Sequence, residues 1–117
     1  MIERRKEARV RTSTPIRVWG IDINGRSFNQ DARVRDVSRS GALVCDLEAE
    51  LRSGDLVGVI YSGKRCRFRI VWIRPSGAKG EIQAAIHRVS GDECPWPDLL
   101  DESLATHGIA ADSAGNL

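Results

Sequence analysis

The sequence lacks the cysteine pairs from which a staple or a metal site is built. Its three cysteines, Cys45, Cys66 and Cys94, are odd in number and far apart with no C-x-x-C among them, which excludes a disulfide framework and a zinc ribbon and predicts reduced thiols in a cytosol. Histidine is as scarce. His87 and His107 stand at no metal-ligand spacing, and His87 falls in a strand-like run where a structural role is the plainer reading. Cys94, beside Pro95, has no activating neighbour in sequence. No nucleophile and base can be assembled from these, so the expectation is a protein that is not an enzyme and needs no cofactor or metal. Long apolar runs are missing too: none approaches the ~20 residues of a membrane helix. The leading residues are charged rather than apolar, so the chain reads as unexported and cytoplasmic, or as a piece of something larger.

What is present is one domain's worth of chain, 117 residues, with its charge unevenly placed. Residues 1–12 carry five Lys/Arg against two Glu, residues 13–91 carry thirteen against eight, and residues 92–117 carry six Asp/Glu with no Lys/Arg. A net charge of +2 thus hides a basic body and an acidic tail. A basic surface favours anionic partners, whether nucleotides, nucleic acids or membranes, without choosing among them.

Residues 1–13 have no apolar periodicity and are expected to form a flexible basic arm. From Pro15 the pattern becomes strand-like, through Ile16, Val18, Trp19, Ile21 and Ile23, with Asn24-Gly25 as a hairpin signal. Alternation returns over Phe28–Val37, a short apolar strand follows at Ala42–Cys45, and Ser53-Gly54-Asp55 marks a turn before Leu56–Ser62. Arg65–Arg74 alternates most clearly: Cys66, Phe68, Ile70 and Trp72 are expected on one face, with Arg65, Arg67 and Arg69 as a basic stripe on the other. Glu81–Val89 supplies a sixth strand. Short strands at this spacing predict a small antiparallel barrel or sandwich over residues 14–91. The aromatics Trp19, Trp72, Trp96, Phe28, Phe68 and Tyr61 sit mostly in alternating runs and are expected to be mostly core. A single-strand RNA binder would need some of them exposed along a basic groove, and the arginine stripe keeps that alternative open. Beyond Ser90-Gly91, Pro97 suits a first helical position and Leu100 with Leu104 makes an i,i+4 pair, so a short helix is predicted over residues 97–106, with residues 109–117 disordered.

Chemistry concentrates in two places. Asp36-Val37-Ser38-Arg39-Ser40-Gly41 closes one strand and opens the next, offering a carboxylate, two hydroxyls and a glycine in six positions. Asp36 can accept from N–H groups on a guanine edge, Ser38 can donate to a phosphate, and the backbone amides can form an anion nest. The arm adds Arg4, Arg5 and Arg9 in R-R-x-x-x-R. Taken in this order, R-x-x-x-R at the start and D-x-S-x-x-G between two strands, the chain resembles the PilZ domain family of bacterial receptors for cyclic di-GMP, over about residues 3–90. The resemblance implies a six-stranded antiparallel β-barrel with a short C-terminal helix. It also implies a cyclic di-GMP site in which Arg5 and Arg9 clamp phosphate and guanine, Asp36 and Ser38 take the other guanine edge, and Gly41 keeps the turn open. Arg4 and Arg39 are further candidates. Arginine suits such a ligand because its planar fork pairs bidentately and its face stacks on a base. A downstream protein partner is implied but not named by any residue, and a PilZ-like interaction module without nucleotide binding is the alternative. Where a glycine is common near the end of the family's sixth strand, this chain has Ala84-Ala85-Ile86.

Overall fold

A computed structural model describes residues 8–77 and 80–100. Six strands, β1 (Val10–Ile21), β2 (Ser27–Val37), β3 (Gly41–Leu47), β4 (Leu56–Tyr61), β5 (Lys64–Pro75) and β6 (Ile82–Arg88), pair antiparallel in the order β1-β2-β3-β6-β5-β4. The β1–β4 ladder, Arg17 opposite Ile60 to Gly20 opposite Val57, closes the sheet into a barrel. Residues 97–100 are helical, and the rest of the predicted helix, 101–106, lies outside the described residues with the expected tail.

Alternation sends one side of each strand inward. Val18, Val34, Val44, Val59, Phe68 and Ala84, one from each strand, are each 2% exposed or less and meet in a single core. β-branched residues suit these positions because their stiff side chains pack well on a pleated surface. The turns obey the chemistry of their residues. In the β1–β2 connection Asp22 Oδ1 accepts from the amides of Asn24 and Arg26, and Gly25 takes a φ of 82° that other residues avoid.

Three departures from simple alternation shape the outer wall of the barrel. β1 starts at Val10, so residues 10–13, expected in the arm, belong to the sheet: Val10 stands opposite Val37 and Arg11 opposite Asp36. Threonines at 12 and 14 are polar by composition yet extend readily, which is why apolar counting misses them. On β2 the register shifts between Val34 and Asp36, so Arg35 is the extra residue and Asp36 turns to the outside between the inward Val34 and Val37. On β5 the shift falls between Ile70 and Trp72. Val71 is left half-exposed, Ile73 takes the inward place, and Trp72, expected in the core, is turned outward.

Trp19 is a second aromatic outside the core. It faces Gly58 across the β1–β4 ladder and its ring lies where a side chain would stand, since a Cβ on Gly58 would fall 2.1 Å from it. Trp96, by contrast, is fully buried: it stacks on Phe68 with centroids 5.4 Å apart and meets Tyr61 edge-on at 6.3 Å. Residues 92–100 are therefore packed on the barrel. Arg67 and Asp92 pair through Nη2–Oδ1 at 3.0 Å, and Tyr61 donates to Asp98 Oδ2 at 2.6 Å.

Candidate functional site

The turn between β2 and β3 is held from several directions. Inside it, the Ser38 amide donates to Gly41 O at 2.9 Å and the Gly41 amide donates to Ser38 Oγ at 3.1 Å. Its successive carbonyls are then taken up by donors more than forty residues away. Trp96 Nε1 donates to Ser38 O at 2.8 Å, Arg88 Nε to Arg39 O at 3.1 Å, and the Arg88 amide to Ser40 O at 2.6 Å. Arg88 also donates from Nη1 to Asp92 O. Each bond satisfies a carbonyl that otherwise needs water, and together they fix the turn in one shape with part of its negative charge offset. Neither Arg88 nor Trp96 carries a sequence signal for this role.

Gly41 is explained sterically by β6. A Cβ there would lie 2.6 Å from Ile86 O, so the glycine permits the close approach of β3 and β6. The Ser38 hydroxyl is occupied within the turn by Gly41, whereas the Arg39 side chain is exposed.

Asp36 and Arg9, distant in sequence, are brought together. Arg9 Nε lies 3.5 Å from Asp36 Oδ1, with the side chains 52% and 26% exposed. That is within range of charge attraction but long for a hydrogen bond, and among the described residues Oδ1 is buried with no hydrogen-bond partner. An acceptor in this condition costs free energy until a donor reaches it. Arg11 stands opposite Asp36 in the ladder and is exposed, an arginine that the motif reading passed over. Arg4 and Arg5 lie outside the described residues.

Across the outer face, the ladders line up Arg11, Asp36, Leu43, Ala85 and Trp72 on adjacent strands β1, β2, β3, β6 and β5. The face thus runs from a charged end to an aromatic end over a half-buried apolar middle. The arginine stripe of β5 is largely engaged: Arg67 pairs with Asp92, and Arg69 donates to Gly54 O at 2.9 Å. The Arg67 hydrogen bonds hold the Asp92 carboxyl below its usual range and raise Arg67 in turn. Burial pushes the thiols of Cys45 and Cys66 up, with Asp46 and Asp92 respectively adding to it, so neither is an activated thiolate.

A family model described as PilZ domain matches residues 3–95. No curated protein matches the sequence. Among solved structures, the Bacillus subtilis inhibitor of motility MotI/DgrA is similar, with a TM-score of 0.63 at 11% identity, covering 91% of this chain and 52% of that one. The MrkH–c-di-GMP complex of K. pneumonia gives a TM-score of 0.59 at 12% identity, covering 91% of this chain and 53% of that one. The chain spans about half the length of each, and at these identities the likeness is one of fold.

Proposed function

The chain belongs to the PilZ domain family, and from that premise we propose that it is a bacterial, cytoplasmic cyclic di-GMP receptor whose ligand binds on the outer face at the β2–β3 turn. The observation that carries the reading is Asp36: a buried carboxylate oxygen without a hydrogen bond among the described residues, set beside Arg9 on a braced turn. A guanine presents N1–H and N2–H side by side, the donor pair that such a carboxylate lacks. Arg9, held near Asp36 by charge, is placed to turn its fork toward guanine O6/N7 or a phosphate, and Arg5 and Arg4 supply the further positive charge that a dianion requires. The exposed Arg39 side chain adds to the same field. Ser38 and Gly41 keep the loop compact so that its backbone can come close to the ligand.

Binding orders the segment that carries Arg4 and Arg5 against the turn, beside Arg9, because a ligand favours the state in which it touches most. A partner protein then meets a changed surface. MrkH is named with c-di-GMP bound, which supports carrying the ligand over. Calorimetric titration with cyclic di-GMP tests the reading. Micromolar or tighter binding is expected, abolished by Asp36→Ala and weakened about ten- to a hundredfold by Arg9→Ala, with circular dichroism unchanged. Unaltered affinity in Asp36→Ala refutes the role given to that carboxylate.

A further inference from the structure

The segment that carries Trp96 also brings two sulfurs together. Cys66, on β5, is 3% exposed, and its S–H donates to Glu93 O at 3.2 Å. That oxygen belongs to the peptide unit leading into Cys94, whose Cα is about 2.8 Å from it, so Cys66 Sγ lies within roughly 6 Å of the Cys94 Cα. A disulfide joins residues whose Cα atoms are about 4.4–6.8 Å apart, and a sulfur held this close needs little backbone movement to reach its partner. An ionised Cys94 opposes the ionisation of Cys66, which puts the two thiols within electrostatic reach of one another. Cys94 itself is half-buried: it packs against the core and lines a cleft of about 480 Å³ together with Lys64 and Arg65 at the start of β5. Asp92 and Glu93 line the cleft as well, but Asp92 is paired with Arg67. Cations beside a reachable thiol favour its thiolate, and the fold supplies here the neighbours that the sequence around Cys94 lacks. The third cysteine, Cys45, is buried on β3, with β6 between it and β5.

We propose that Cys94 and Cys66 form a peroxide-sensitive dithiol, whose oxidation closes a disulfide that fastens residues 92–100 to β5. The Cys94 thiolate attacks hydrogen peroxide: an S–O bond forms, the O–O bond breaks and hydroxide leaves, giving a sulfenic acid. The Cys66 sulfur then attacks the Cys94 sulfur, so that the S–S bond forms, the S–O bond breaks, and the departing hydroxide takes the Cys66 proton as water. Two thiols give up two electrons and two protons, and one peroxide becomes two waters. Burial sets the order, because Cys66 is hidden from solvent and held as the thiol, and so resolves the sulfenic acid rather than starting the reaction. A thiol reductant reverses the bond, as suits a disulfide that forms transiently in a reducing compartment. Trp96, two residues beyond Cys94, donates to Ser38 O, so the bridge also secures the brace of the β2–β3 turn.

The test treats the full chain, reduced and freed of reductant, with stoichiometric hydrogen peroxide, blocks the remaining thiols with N-ethylmaleimide, and maps the product by mass spectrometry after pepsin digestion in acid. The expected product before blocking is a monomer about 2 Da lighter than the reduced chain. In the map, the peptides of Cys66 and Cys94 are joined and Cys45 alone carries the maleimide. Without reductant the oxidised chain should melt several degrees above the reduced one, a difference that dithiothreitol removes and that Cys94→Ser does not show. Cys66→Ala should leave Cys94 as a sulfenic acid that dimedone labels. Absence of the Cys66–Cys94 link, a link through Cys45, or a bridge between two chains overturns the proposal. An oxidised chain that melts with the reduced one overturns the fastening. Should Cys66→Ala not fold, the peptide map and Cys94→Ser decide. No readout involves a nucleotide, so the outcome is independent of the receptor reading.

Discussion

Replacing Trp96 by phenylalanine separates the two tasks of that residue. The Trp96 and Phe68 ring centroids are 5.4 Å apart, close enough for the smaller ring to keep most of the stack. The indole N–H is lost, and with it the 2.8 Å bond to Ser38 O. Because Trp96 is fully buried, water does not readily replace that donor, and leaving the carbonyl unpaired costs about 1–3 kcal/mol. The smaller ring forfeits part of its packing and leaves a void, adding about 1 kcal/mol. The sum, about 2–4 kcal/mol, is a large share of the ~5–15 kcal/mol that holds a domain folded. It corresponds to a fall in Tm of roughly 8–16 °C at about 4 °C per kcal/mol. Urea unfolding tracked by far-ultraviolet dichroism measures it, with an unchanged m-value establishing that the native state is otherwise the same. Benzothienylalanine at position 96, which keeps the bicyclic shape but replaces the N–H by sulfur, isolates the hydrogen bond. Its expected cost is about 1–3 kcal/mol. If that isostere leaves the urea midpoint where it was, the bond to Ser38 carries no weight and the turn is braced by other means.

Gly41→Ala places a methyl 2.6 Å from Ile86 O, so β6 must retreat; a loss of about 1–3 kcal/mol in urea unfolding is expected, and wild-type stability would show that the two strands part freely. The Arg67 hydrogen bonds hold the Asp92 carboxyl below its usual range, so the folded state prefers the ionised group and gains stability above about pH 4 that fades as acid protonates it. Asp92→Asn is therefore expected to have a lower Tm at pH 6 and a shallower decline between pH 5 and pH 3, read by calorimetric scanning; parallel curves would show that the pair contributes nothing.

Most of the strand plan is legible in the chain because polar turns punctuate alternating runs. Asn24-Gly25 and Ser53-Gly54-Asp55 fall between strands in sequence and in space, and all six strands lie where alternation puts them to within a few residues, except at the start of β1. The shifts of register are another matter. An extra residue such as Arg35 or Val71 differs in no way from its neighbours by composition, so the inward count runs on past Ile70 and misplaces Trp72. Trp19 escapes for a related reason: its place is a gap left by Gly58, and that pairing is fixed only when the barrel closes. Of the site, the D-x-S-x-x-G turn and Arg9 can be found from motif order. The donors that fasten the turn cannot, since Trp96 lies 58 residues from Ser38 and Arg88 lies 49 from Arg39. Arg11 needed only the register, which places it opposite Asp36.

Because β1 and β4 meet from Arg17 to Gly20, the described sheet closes on itself and has no outermost strand. Along that seam a neighbour cannot lengthen it by zipping on a strand of its own, a route by which β proteins recruit peptides or clump together. A partner at the seam meets side chains on the wall rather than an open backbone edge. Several copies could for the same reason be strung along one polypeptide with little risk of exchanging strands.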